Sequence, residues 1–224
     1  MAERLIDLTH CIEDGLVTDS RLPPVHVREL WTREDSAKRY APGVSFQIST
    51  AELCQNTATY VDCPWHRYAE GRGVWNFPLE RLVNVPTIVV DVRNGIHPTG
   101  EIEHGLLESR AVSGAALLVC SGRSTDWGVP SYRDGSHPWI SERTAKHLVR
   151  CGVTLYGIDT LNADRFSDLS RPVHSVLLGA EIPIIENLCN LEQVVGQTNA
   201  RLFAAPLKMV GFGSCPVRAF VLVD

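Results

Sequence analysis

Residues 56–66 read Asn-Thr-Ala-Thr-Tyr-Val-Asp-Cys-Pro-Trp-His and place a carboxylate, Asp62, four positions before an imidazole, His66. Pro64 lies between them, where its fixed φ and missing N–H argue against a continuing helix or central strand, so the segment should leave a strand as a stiff loop. Such a loop can aim both side chains into one pocket, where they would bind a divalent cation or share acid/base work. Equally, Asp62 could cap a turn while His66 hydrogen-bonds within the core. The D-x-x-x-H spacing alone does not separate these alternatives.

His174 and Glu186 form a second pair. Glu186 ends the apolar run of residues 182–185, and a buried carboxylate is costly unless it is paired, hydrogen-bonded or bound to a cation. The simpler expectation is that the strand ends there and Glu186 is solvated at its lip. If the loops converge, Asp62, His66, His174 and Glu186 make a two-carboxylate, two-imidazole set suited to Zn²⁺ or Mn²⁺. The remaining histidines have weaker claims. His10 and His137 are expected in surface or core-capping roles, and His26, His97, His104 and His147 are expected to be exposed. Cys63 and Cys215 read as small buried fillers rather than nucleophiles, because no activating context surrounds them.

Trp31, Tyr40, Phe46, Trp65, Trp75 and Phe77 crowd the first third of the chain. They could line a cleft for a flat organic substrate, with core packing accounting for about half of them. Phe46 and Trp65 are the candidates for contact with substrate, beside Asn56. No P-loop, G-x-G-x-x-G fingerprint or G-x-S-x-G elbow occurs, which weighs against nucleotide-dependent and serine-esterase chemistry.

The elements that must position these residues are mostly strands. Residues 44–49 alternate apolar and polar, as in a half-buried antiparallel strand. Residues 87–92, 115–120 and 153–158 are continuous apolar runs, suited to strands covered on both faces. Residues 201–210 and 217–223 suggest a late pair around the Gly211-Phe212-Gly213-Ser214 turn. A helix should start at Ser141 as N-cap, with Glu142 near its positive end and an Ala145, Leu148, Val149 stripe, and close at Cys151-Gly152. A second, weakened by Gly105, should occupy residues 101–110. Strands interleaved with a few helices indicate an α/β fold with mixed sheet.

At 224 residues and 44% apolar content, the chain can bury one substantial core, and one domain spanning residues 1–224 is expected. The 21 basic and 26 acidic residues give a net charge of −5 without a dense basic block, so nucleic acid is not expected as a partner. No apolar run has the length of a membrane span, and the N-terminus lacks the pattern of a signal peptide. Seven cysteines without a C-x-x-C pair fit reduced thiols, and a cytoplasmic location is expected.

The segment 56–66 resembles the dinuclear metal-hydrolase motif H-x-G-T-H-x-D-x-P-x-H, with Asn56, Ala58 and Tyr60 at the positions of its first histidine, glycine and second histidine. Ile6-Asp7-Leu8-Thr9-His10, Gly157-Ile158-Asp159-Thr160-Leu161-Asn162, Pro172-Val173-His174, Ile184-Ile185-Glu186-Asn187-Leu188, Ala205-Pro206-Leu207-Lys208 and Pro216-Val217-Arg218-Ala219 extend the likeness over nearly the whole chain. On these residues the chain is similar to the cyclase family that includes bacterial kynurenine formamidases and isatin hydrolases.

The resemblance implies a swivelling β/β/α-type fold with a partly barrel-like sheet, a homodimer or homotetramer, and hydrolysis of amide-like bonds in small, often aromatic, molecules. It assigns metal ligation to Asp62, His66, His174 and Glu186. With the H-x-x-x-H pair replaced, at most one divalent metal is expected, and metal-free chemistry is a live alternative. In either case catalysis would fall to His66, Asp62 and Tyr60. Three functions stand beside one another: a one-metal hydrolase; a metal-independent acid/base cyclase, lyase or hydrolase; and a non-catalytic small-ligand-binding protein.

Overall fold

The computed structural model describes residues 3–110 and 112–224. Its strands, in chain order, are β1 Arg4–Asp7, β2 His26–Trp31, β3 Ile48–Glu52, β4 Tyr60–Asp62, β5 Val83–Asp91, β6 Ala116–Cys120, β7 Leu155–Ile158, β8 Ile184–Glu186, β9 Arg201–Phe203, β10 Ser214–Pro216 and β11 Phe220–Val223. The helices are α1 Arg33–Ala37, α2 His104–Glu108, α3 Glu142–Cys151 and α4 Pro172–Gly179. Among the described residues, nine strands form one mixed sheet in the order β1-β11-β9-β5-β6-β7-β8-β4-β10.

The centre of the sheet, β5 to β8, is parallel, and antiparallel pairs extend it on both sides. Every residue of β6 and β7 is buried, as their continuous apolar sequences require of strands covered on both faces. Alternation then sorts the side chains. Leu117 and Val119 join the core that includes Leu107, Leu148 and Leu177 of the helices, while Ala116 and Leu118 face a second core with Val61, Ile185, Leu202 and Val221. The α/β expectation therefore holds, and the sheet curls as a half-barrel.

The helix expected from Ser141 forms as read. The Ser141 hydroxyl accepts from the Thr144 N–H, Gly152 closes the helix in the left-handed region, and Thr144, Ala145 and Leu148 are its buried face. The second helix is shorter than expected: α2 is a single turn beginning at His104, consistent with the cost of Gly105 in its interior.

Two other expectations need correction, and one helix has no counterpart among them. Residues 44–47 are not strand; β3 begins at Ile48 and is exposed throughout, because it pairs only with β2 in a separate two-stranded arm. The late pair exists as β9 with β11, but residues 214–216 form β10 and pair with β4 on the far side of the sheet. Finally, α4 carries no amphipathic signal in the sequence because it lies within the core, with Val173, His174, Leu177 and Leu178 all buried.

Candidate active site

Strand register assembles most of the site. β4 lies between β8 and β10, with Tyr60 opposite Glu186 and Asp62 opposite Ser214. Residues two apart on a strand share a face, so Tyr60, Asp62, Glu186 and Ser214 converge on one side while Val61 enters the opposite core. Pro64 then starts a 3₁₀ turn, Pro64–His66, which brings His66 back over Asp62. The stiff-loop expectation is met. The turn is held by backbone: Cys63 N–H donates to Gly213 O at 2.8 Å, and a Cβ on Gly213 would lie 2.5 Å from His66 N and 2.6 Å from its Cα. Only glycine permits that approach.

His174 arrives from α4. Pro172 opens the helix after Arg171, whose φ is +50°, and Asp164 accepts from the Val173 N–H at 2.7 Å and the His174 N–H at 3.2 Å. The same carboxylate bonds His174 Nδ1 at 2.6 Å, which turns Nε2 toward Asp62 Oδ2 at 3.4 Å and Glu186 Oε1 at 3.5 Å. Burial alone would lower this imidazole, but its hydrogen bond to Asp164 and the nearby charges of Glu186 and Asp62 raise its pKa to about 10.

Asp62 is fully buried. Its Oδ1 accepts from the Ser214 hydroxyl and, at 3.3 Å, from Asn56 Nδ2, while Oδ2 has no hydrogen-bond partner. Ser214 Oγ also lies 2.8 Å from His66 Nδ1, and that nitrogen is 3.8 Å from Asp62 Oδ1. Although burial opposes ionisation, the charges of His66 and His174 and the bond from Ser214 hold the Asp62 pKa below its usual value.

Glu186 is fully buried rather than solvated at a strand lip, which corrects the simpler expectation. Its oxygens accept from the Tyr60 hydroxyl and, at 2.7 Å, from the Ala163 N–H. Burial lifts its pKa to about 7 against the His174 charge, with Asp62 adding to the rise. Tyr60 is raised well above 10 by burial and by the charges of Glu186 and Asp62, so it remains a neutral phenol and a donor.

One donor atom each from Asp62, His66 and His174 lie within 4.8 Å of one another. A buried, unpartnered carboxylate oxygen beside two imidazoles fits a divalent cation such as Zn²⁺ or Mn²⁺. Glu186, the fourth residue of the expected set, adjoins His174 but has both oxygens engaged by Tyr60 and Ala163.

The two imidazoles of the cluster line a cavity of about 390 Å³, whose lining also includes Asn56, Tyr60 and Glu186 together with Thr18, Arg21, Arg67 and Arg171. Among the described residues Tyr60 is the one phenylalanine, tyrosine or tryptophan that lines it, so these residues do not form the expected aromatic cleft. Phe46 is exposed beside the β2–β3 arm, and Trp65 packs edge-on against Trp75 at 5.3 Å; neither lines the cavity.

Cys63 is a buried filler as expected, its thiol pushed up to about 12 by burial and the Asp62 charge. His10 stacks on Trp127 at 4.0 Å, and His137 is buried against Pro138 O. His104 and His147 are half-buried rather than exposed.

Asp164, Ser214, Arg21 and Arg171 were not singled out from the sequence. A detectable signal existed for Asp164, a carboxylate ten residues before His174 with Pro172 between to start a helix. None existed for Ser214, which reads as one more turn residue.

The family model described as putative cyclase matches residues 6–165. Kynurenine formamidase of Salinibacter ruber is 32% identical over 194 residues, 86% of each chain, and that of Delftia acidovorans is 28% identical over 80% of this chain and 81% of its own length. Isatin hydrolase A from Labrenzia aggregata superposes with a TM-score of 0.82 at 23% identity, covering 99% of this chain and 94% of its own. The chain belongs to the cyclase family.

Proposed function

We propose that the cavity binds a small aromatic amide and hydrolyses its carbon–nitrogen bond, with Asp62, His66 and His174 holding a single Zn²⁺ or Mn²⁺ and Glu186 and Tyr60 handling the proton. The observation that carries this is Asp62 Oδ2, buried without a hydrogen bond at 3.4 Å from His174 Nε2, in a cluster with the two imidazoles that line the cavity. The similarity to kynurenine formamidases and isatin hydrolases supports the reaction class. A cation there supplies Lewis-acid polarisation of the carbonyl.

The chain's own groups do the rest. Water oxygen adds to the carbonyl carbon, and its proton passes to Glu186, whose pKa of about 7 suits both taking and returning a proton near neutrality. The proton is returned to nitrogen as the C–N bond breaks, leaving an acid and an amine. Tyr60 holds Glu186 in place by donation, and Asn56 and Ser214 fix Asp62 through Oδ1. Arg21, Arg67 and Arg171 also line the cavity.

A metal-independent reading has its own support: His174, raised to about 10, already sets a positive imidazolium against Asp62 and Glu186 and could polarise the carbonyl itself. Metal content of protein purified without added metal, with turnover of an N-formylanilide and an isatin-type cyclic amide before and after chelation, decides between the two. A stoichiometric metal lost together with turnover supports the metal reading. Full turnover by metal-free protein overturns it in favour of His174, and no turnover of any amide by the metal-loaded protein overturns both.

The β2–β3 arm leaves Leu30, Tyr40, Phe46 and Ile48 exposed, which supports a homodimer or homotetramer, measured directly by light scattering. The seven cysteines are all free, in keeping with a reducing compartment. Among the described residues no helix is long and apolar enough to cross a membrane.

A further inference from the structure

A second cluster of ligand-type side chains lies away from the cavity, where α2 meets α3. His104 and Glu108 are four apart on α2, and His147 and Cys151 four apart on α3, so each pair shares a helix face. His104 Nε2 is 3.8 Å from Glu108 Oε2, and His147 Nδ1 is 4.0 Å from Glu108 Oε1. The two imidazoles stand perpendicular with ring centres 5.5 Å apart. These separations are too long for hydrogen bonds, yet one donor atom from each of the three residues falls within 4.8 Å of the others. Three ligands surround a gap that none of them fills.

The outer nitrogens make the arrangement specific. His104 Nδ1 is hydrogen-bonded to Thr144 Oγ1 at 2.9 Å, and His147 Nε2 meets Cys151 Sγ at 3.1 Å. With Nδ1–H of His104 donating to Thr144 and Nε2–H of His147 donating to Cys151, each ring turns its lone pair toward Glu108. Fixing the tautomer through the distal nitrogen is how proteins prepare histidine for a metal.

We infer that His104 Nε2, Glu108 and His147 Nδ1 form a Zn²⁺ site separate from the Asp62–His66–His174 cluster, with Thr144 and Cys151 as its supporting hydrogen-bond partners. Two histidines and one carboxylate leave a fourth tetrahedral position for water. The ion fastens the single turn of α2 to α3. Because α3 in turn packs against α4, the same ion braces the layer that carries His174.

The test uses the full chain, stripped of metal and titrated with Zn²⁺ by calorimetry, with crystals soaked in Zn²⁺ and measured at the zinc edge. An anomalous peak between His104, Glu108 and His147 is expected. His147→Ala should bind one equivalent fewer than the parent, and Thr144→Val should weaken this site about tenfold or more. Glu108→Gln, an exposed change, should remove this site's share of the zinc-dependent rise in Tm, about 5 °C or more at a hundredfold excess over Kd, while leaving the cavity's share and amide turnover unchanged. Equal stoichiometry and Kd for the parent and His147→Ala, or no peak at this position, overturns the inference whether or not the cavity proves catalytic.

Discussion

Asp164→Asn isolates a residue that never touches the cavity yet should control it. In the parent, Asp164 Oδ2 accepts from His174 N–H at 3.2 Å and bonds His174 Nδ1 at 2.6 Å, while Oδ1 accepts from Val173 N–H at 2.7 Å. An amide at this position must point an NH₂ at one of these groups. If it faces Nδ1, the ring moves its proton to Nε2, the nitrogen that confronts Asp62 and Glu186. A charge-assisted bond is worth about 1.5–3 kcal/mol and a neutral one about 1 kcal/mol, so stability should fall by about 2–4 kcal/mol. Loss of about 2–3 kcal/mol of positioning at the reacting centre corresponds to a fall of about 30- to 150-fold in kcat/KM. In metal-stripped protein the His174 pKa, at about 10 in the parent, should drop, which an imidazole NMR titration reads directly. A folded Asp164→Asn protein with an unchanged His174 titration and kcat/KM within threefold of the parent would refute the reasoning.

Three further changes probe the same frame. Tyr60→Phe strips the donor from buried Glu186, and should cost about 1–3 kcal/mol of stability and at least tenfold in kcat; an unchanged rate would remove the hydroxyl from the mechanism. Gly213→Ala drives a methyl into the His66 backbone, so kcat/KM should fall about a hundredfold by displacement of the imidazole; a parental rate would show that the turn can yield. Buried His137 titrates at about 4 in the folded protein against 6.5 unfolded. The unfolded chain therefore takes up its proton first as pH falls, and stability complete above pH 6.5 is lost progressively down to pH 4, by about 3 kcal/mol from this residue. Denaturant melts of His137→Phe should show that much less acid loss, and an identical pH slope would exclude His137 as a cause.

What the sequence disclosed follows from how local each signal is. The α3 helix was readable from end to end because Ser141, the apolar stripe and Gly152 act within ten residues, and β6 and β7 were readable because burial on both faces leaves an uninterrupted apolar run. The α4 helix was hidden for the opposite reason: buried over most of its surface, it has little amphipathic period to detect. The arm strand β3 failed differently. Its alternation reads as half-buried, but its partner is a lone exposed strand, and a sequence does not say whether an alternating segment joins the main sheet.

The site divides along the same line, and Glu186 shows why. From sequence, an acidic residue after an apolar run is most simply a strand end in water. Its burial depends on β4 pairing with β8 across more than 120 positions, a register that sets Tyr60 directly opposite Glu186. That pairing also gives Tyr60 and Asn56, which stand where the resembled motif has histidines, a physical reading. A histidine at position 60 could offer nitrogen to a second cation, whereas the phenol there donates to Glu186 and remains neutral because burial and two nearby carboxylates resist its ionisation. Asn56 likewise donates to Asp62 Oδ1, so both side chains stabilise by hydrogen bonds the negative charge that a second cation would neutralise. A histidine placed at position 60 alone would then leave Glu186 short of its donor. Asn56→His with Tyr60→His should raise metal uptake by one equivalent where either single change does not, and a second equivalent bound by Tyr60→His alone would show that the phenol excludes it by itself and that Asn56 has no part.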